Sequence, residues 1–305
     1  MTLSDTPRAT RAHAALTMLA HARTLLGDQL DRAVNASLGD ATVERIERLR
    51  IRLGDGGVDP FGLDPDTARY VLVAAQRLYR DYFRTEVHGL ANVPEGRVLL
   101  VSNHSGQIPL DGMSIACALL LDHDPPRIAR TMVEKWTATL PFVSQLFPRL
   151  GQVVGVPENC LRLLEMEEAI LVFPEGSRGI SKPFSQRYKL QEFGLGFMRL
   201  ALESGAPIVP VAVLGAEEQY ISVANVTSLA RVLGMPAFPV VPQLLLPGGF
   251  MPLPVRHRIY FGEPMHVTGD PDDEDAVIEE KVAAVRATVQ SMINRALKER
   301  TSVFF

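Results

Sequence analysis

The chain predicts an α/β fold, a sheet covered by helices and preceded by an N-terminal helical region. Two observations lead there. Residues 1–85 carry apolar side chains at helical spacing, and residues 86–305 alternate short β-like runs with helical ones. Strands and helices in alternation imply a sheet with helices packed on it.

In the first region, Ala15, Met18, Leu19, Ala22, Leu25, Leu26 and Leu30 form one helical stripe. Val43, Ile46, Leu49 and Leu53 form a second, with Asp40 or Thr42 as the expected cap. A loop containing Gly54, Gly56, Gly57, Pro60 and Pro65 leads into a third helix, for which Asp66 is the expected N-cap and Tyr70, Ala74, Leu78 and Tyr82 the expected buried stripe. The predicted strands that follow are residues 98–102, 127–132, 169–173, 208–214 and 256–261, with helices over 111–121, 159–167 and 195–203. The last helix places Ile278, Val282, Val285, Val289, Met292 and Ala296 on one face, behind an acidic start from Asp270 to Glu274.

Composition narrows the function classes. The 31 Lys and Arg are outnumbered by 35 Asp and Glu, a formal net charge of −4, so the molecule makes no cationic field for nucleic acid. Cys117 and Cys160 are the only cysteines, which excludes a disulfide scaffold and fits buried thiols in a reducing compartment. The first residues contain no secretory apolar stretch, and a cytoplasmic protein is expected. Residues 232–255 have no charge, but Pro236, Pro239, Pro242, Pro247, Pro252 and Pro254 break the backbone bonding that a spanning helix must complete within itself. No His, Cys or Asp cluster has metal-ligand spacing. His123, Asp124 and His257 are expected at the surface, and Trp136 in the core or, through its amphipathic ring, at a lipid interface.

Two motifs bear chemistry. Ser102-Asn103-His104-Ser105-Gly106-Gln107-Ile108-Pro109-Leu110-Asp111 follows the first strand of the second region, at the sheet edge where such folds build sites. A His there can take a proton near neutral pH, given a carboxylate to fix its tautomer. Phe173-Pro174-Glu175-Gly176-Ser177-Arg178-Gly179 follows a later strand. Gly176 allows close backbone approach, Arg178 offers a planar fork for a phosphate, and Glu175 can bind a hydroxyl. Lys182, Arg187 and Lys189 follow, either extending a phosphate- or CoA-binding surface or forming a solvated basic loop.

Asn103-His104 with Asp111, then Phe173 to Arg178, then Pro207-Ile208-Val209-Pro210-Val211 resemble, in order and separation, the motifs of the glycerolipid and lysophospholipid acyltransferases, including the 1-acylglycerol-3-phosphate acyltransferases. The lead-in from Val87 to Pro94 is similar to theirs as well. The resemblance implies a mixed, mostly parallel sheet of the glycerol-3-phosphate acyltransferase type, residues 86–305 forming the acyltransferase domain. It implies an enzyme of phospholipid biosynthesis, peripheral on the membrane, in which His104, held by Asp111, deprotonates a hydroxyl that attacks acyl-CoA or acyl-carrier protein. Glu175, Gly176, Ser177 and Arg178 would bind substrate. No cofactor or metal is implied, and the partners are the lipid surface and the thioester carrier. Six residues separate His104 from Asp111 where the family has four, and no Arg stands between Gly151 and Pro157 where the family carries one. The apolar 232–255 segment is expected to meet the bilayer, line an acyl channel or cross the core as an irregular segment. The alternatives are a serine-type lipid esterase using Ser105 or Ser177, and a non-catalytic lipid-binding protein on the same fold.

Overall fold

The structure, a computed structural model, describes residues 26–54, 56–104, 108–226, 228 and 238–304. The expected stripe from Ala15 to Leu25 lies outside them. Residues 26–38 form helix α1, and Gly39, at φ 80°, turns the chain into α2 (Asp40–Leu53) with no side-chain cap. Neither Asp40 nor Thr42 caps that helix. A left-handed backbone at Gly39 makes the turn, and glycine adopts it without strain.

Helix α3 (Pro65–Arg77) is capped by Asp64, not Asp66. The Asp64 carboxylate accepts from the backbone N–H of Asp66 at 3.0 Å and of Thr67 at 3.2 Å. Pro65 explains the shift: lacking an N–H, it suits the first helical position, and the cap falls on the residue before it. The expected stripe also moves. Tyr70 is exposed and Leu72 buried, so α3 turns a different face inward; beyond it the last turn widens into a π-helical stretch (Leu78–Tyr82) that changes the phase of the helix and brings Tyr79 and Phe83 into the core.

Seven strands form the main sheet, in the order β1-β9-β6-β2-β5-β3-β4. They are β1 (Glu86–His88), β2 (Val98–Ser102), β3 (Ala129–Val133), β4 (Val153–Val154), β5 (Ala169–Val172), β6 (Ile208–Leu214) and β9 (Arg258–Phe261), with β7 (Ala224–Asn225) and β8 (Pro239–Val240) pairing separately. All neighbours in the main sheet run parallel except β6 with β9. The sheet is therefore mixed and mostly parallel, as expected. Strands β1 and β4 are too short to show periodicity, and sequence reasoning missed both.

Period-two alternation distributes the core. On β2, Leu99 and Val101 face one cluster and Val98 and Leu100 the other; on β6, Ile208, Ala212 and Leu214 oppose Val209, Val211 and Val213. The first face is covered by α6 (Pro157–Glu165), α8 (Gly196–Ser204) and α9 (Asp275–Glu299). Helix α9 buries Ile278, Val282, Val285, Val289, Ile293 and Ala296, with Ile293 rather than Met292 completing the stripe. The second face is covered by α4 (Leu110–Leu121), on which α2 and α3 pack, and Val34 and Leu38 of α1, Ile46, Leu72 and Tyr79 join the same core cluster. The N-terminal helices thus share a core with the sheet. Residues 242–251 do not cross that core: Leu245, Leu246, Phe250 and Met251 are exposed. No helix among the described residues is long and apolar enough to cross a membrane.

Candidate active site

Strand β2 lies between β5 and β6, so the loop after it emerges at the middle of the sheet's carboxyl edge. Asn103 fastens that loop. Its amide nitrogen donates to Val213 O at 3.0 Å and its amide oxygen accepts from Val213 N at 2.8 Å, continuing the ladder to β6 through a fully buried side chain. His104 follows. Its Nδ1 lies 2.8 Å from Asp111 Oδ2, and its ring stacks on Phe173 at 4.2 Å between centroids. Asp111 is buried in the first turn of α4, its Oδ1 accepting from Gly112 N at 2.8 Å. The longer His-to-Asp spacing therefore still brings the two together, with Pro109 as N-cap of α4. Ser105, Gly106 and Gln107 lie outside the described residues.

The second motif closes over His104 from the β5 side. Gly176 (φ +56°) turns the chain into the one-turn helix α7 (Ser177–Ile180). A Cβ at Gly179 would sit 2.9 Å from His104 Cβ and 3.0 Å from Glu175 Cβ, so only glycine allows this contact. Gly176 and Ser177 line the cavity beside His104.

Two expected substrate contacts are corrected. Glu175 is buried and faces inward: Oε1 accepts from the backbone N–H of His104 at 3.0 Å, and Oε2 from Gln191 N at 2.8 Å and Lys182 Nζ at 3.3 Å. A carboxylate so occupied holds the loops together and presents nothing to a substrate hydroxyl. Arg178 is exposed and turns to Glu192, its Nη1 3.1 Å from Oε2 and its Nη2 3.2 Å from the Glu192 carbonyl. It lines no part of the cavity.

Lys182 belongs to neither a solvated loop nor an open anion-binding surface, because it is buried. Its ammonium donates to Glu175 Oε2 at 3.3 Å, Glu217 Oε1 at 3.2 Å and Lys189 O at 3.3 Å. Glu217 Oε2 in turn accepts from Tyr188 N at 2.9 Å, and burial pushes the Glu217 carboxyl up to about 7. These groups come from loops after different strands, so no spacing along the chain announces them. His257 is also buried. Nδ1 lies 2.9 Å from Ser114 Oγ, the ring stacks on Phe83 at 4.0 Å, and burial pushes its pKa down to about 3. His123 is buried between the carbonyls of Pro125 and Val93 at 2.7 and 2.9 Å; Asp124 is exposed as expected. Trp136 is not core but a half-exposed wall of the cavity.

That cavity holds about 620 Å³, within the range of about 300–1,000 Å³ common for small-molecule sites. His104, Gly176 and Ser177 form part of its wall; Met113 and Ala116 of α4 and Leu72 and Ala75 of α3 form another. Its surface is predominantly apolar. Among the described residues no His, Cys, Asp and Glu group could hold a metal ion.

The family model described as Acyltransferase matches residues 84–214, a span that contains both motifs and β6. An uncharacterized protein of Mycobacterium leprae is 39% identical over 266 residues, covering 84% of this chain and 72% of that protein. A mouse protein described as "DGAT1/2-independent enzyme synthesizing storage lipids" is 24% identical over 210 residues, 69% of this chain and 60% of its own. The solved 1-acyl-sn-glycerophosphate (LPA) acyltransferase PlsC of Thermotoga maritima is 19% identical, with a TM-score of 0.47 over 77% of this chain and 83% of that one.

Proposed function

The chain belongs to the acyltransferase family, and from that premise we propose that it transfers a fatty acyl group from acyl-CoA or acyl-carrier protein to a hydroxyl of a lysophospholipid or glycerolipid, with His104 as general base. The observation that carries this reading is the 2.8 Å pairing of His104 Nδ1 with Asp111 Oδ2 at the wall of a large apolar cavity.

Asp111 accepts the Nδ1 proton and so leaves Nε2 as the basic nitrogen. The acceptor hydroxyl gives its proton to Nε2 as its oxygen attacks the thioester carbonyl. A C–O bond forms, the C–S bond breaks, and the imidazolium, steadied by Asp111, returns the proton to the departing thiolate. The apolar cavity takes the hydrocarbon chain. A general base of this kind contributes about 10²- to 10⁴-fold. His104→Ala should therefore lower transfer by at least about a hundredfold with the thermal transition unchanged; turnover equal to wild type would remove His104 from the mechanism.

The same reading places the enzyme peripherally on a membrane, at its cytoplasmic face. Support comes from the exposed apolar side chains around the sheet's carboxyl edge. Phe142 is 85% exposed, in the loop that continues from the cavity wall at Trp136 and Leu140. Leu245 is 87% and Phe250 79% exposed, on a segment fastened by Tyr220 to Phe250 O at 2.7 Å and by Leu253 N to Gln219 O at 2.9 Å. Gln219 also donates to Ile108 O, near His104, at 3.1 Å. Buried, unpaired Cys117 and Cys160 agree with a reducing compartment.

A further inference from the structure

Building on the acyltransferase reading, we infer that the hydroxyl acylated at His104 belongs to an uncharged glycerolipid, a mono- or diacylglycerol, and that the site discriminates against acceptors carrying a phosphate monoester. A phosphate monoester brings a charge of about −1.5 to −2 at neutral pH and needs cations or a free helix N-terminus to meet it. The charges around His104 supply the opposite.

Among the described residues the cavity wall has only three ionisable side chains besides Cys117: His104, Arg69 and Glu134. Arg69 sits on α3 and is held by Asp31 at 2.7 Å. Glu134 stands beside His104's loops. Its Oε1 is 3.7 Å from where a Cβ on Gly176 would be, and its Oε2 accepts from Trp136 Nε1 at 2.9 Å. A solvent-facing carboxylate thus borders the entrance. Behind the wall, Lys182 is shared by Glu175 and Glu217, and Arg178 is directed to Glu192. The first turn of α4, which would otherwise attract an anion, already contains the Asp111 carboxylate. Among the described residues Arg69, Lys182 and Arg178 each have an anionic partner, and Glu134 is the only carboxylate on the cavity wall, whereas an uncharged hydroxyl needs only the His104 ring.

Trp136 is the sole tryptophan and is hydrogen-bonded to Glu134, so its emission reports on acceptors entering at this point. The test titrates the full chain with mono-oleoylglycerol and with oleoyl lysophosphatidate in the same mixed micelles, following tryptophan emission, and then adds acyl-CoA and measures product by mass spectrometry. The expected result is a response to mono-oleoylglycerol at least about tenfold lower in concentration. Glu134→Lys should close most of that gap by strengthening the lysophosphatidate response. A wild-type preference for lysophosphatidate, no effect of Glu134→Lys, or a lysophosphatidate response abolished by Arg178→Ala would each overturn the inference. Fluorescence ranks the acceptors without turnover, so absence of product from both overturns the transferase reading, and the order of the titrations alone decides the acceptor class.

Discussion

Lys182 Nζ lies 3.3 Å from Glu175 Oε2, and the other oxygen of that carboxylate accepts the backbone N–H of His104 at 3.0 Å. The ammonium also reaches Glu217 in the turn after β6. One buried cation thereby ties the loops that follow β5 and β6 to the loop of the intervening strand β2, which carries the base. Lys182→Met would leave two buried carboxylates facing each other, a costly arrangement unless one is protonated or moves. Because His104 is positioned through Glu175, the expected effect is a fall in kcat of roughly 10- to 100-fold with KM nearly constant, partly restored by Lys182→Arg. Steady-state kinetics on the three proteins checks this; a rise in KM alone would mean that Lys182 serves binding and not the placement of His104.

The contrast between His104 and Lys182 shows how far the sequence could be read. His104, Asp111 and the glycines of the second motif are local signals, set by strand ends and by backbone conformations that few residues adopt. The β2, β5 and β6 runs were equally plain, since alternate side chains enter two cores. Lys182, Glu217 and His257 acquire their environments only when distant segments meet, and polarity alone assigns such residues to the surface. Glu175 is conspicuous in its motif, but its contacts with His104 N, Gln191 N and Lys182 depend on that assembly. The shifted cap at Asp64 and the phase change after Arg77 have local causes, Pro65 and a π turn, of which only the proline is visible beforehand.

The cavity sets an expectation for chain length. Ala116 of α4 and Ala75 of α3 are small residues on its wall, beside Met113 and Leu72. Ala116→Phe would fill space there without touching His104 or Asp111. Each methylene excluded from an apolar site costs about 0.8 kcal/mol, close to fourfold in relative specificity. The preferred acyl-CoA should therefore shorten, with the ratio of kcat/KM for a long over a medium chain falling by at least about tenfold. Competition between two thioesters in one reaction measures it directly. An unchanged ratio would separate this cavity from the acyl chain.

Burial of His257 makes stability depend on pH. Its folded-state pKa is pushed down to about 3 by burial, against an ordinary 6.5. Between those values the unfolded chain binds a proton that the native state refuses. The stabilising contribution is thus fully present above about pH 6.5 and is lost as pH falls towards 3, at up to about 1.4 kcal/mol per pH unit from this group. His257→Asn keeps a polar group facing Ser114 but removes the titration. Urea unfolding at pH 7, 6 and 5 should show a shallower decline for the variant than for wild type, even if its stability at pH 7 is lower. Parallel declines would mean that other groups dominate the acid limb.

Membrane contact makes a separate demand on the 242–251 segment. Leu245 and Phe250 are 87% and 79% exposed, so polar replacements there should change folding stability by no more than about 0.5 kcal/mol. Inserted in the acyl region of a bilayer, each side chain would contribute about 1.5–3 kcal/mol. Replacing both by Asp removes that term and adds charge at the lipid boundary. The partition coefficient onto phosphatidylglycerol-containing vesicles should then fall at least about a hundredfold, while transfer to a water-soluble short-chain acceptor stays at the wild-type rate. Vesicle co-sedimentation and a soluble-substrate assay on the same preparation distinguish a lost membrane anchor from a damaged site. Full vesicle binding by the double variant would shift the anchor to another surface, such as the loop bearing Trp136, Leu140 and Phe142, which is exposed and continues from the cavity wall.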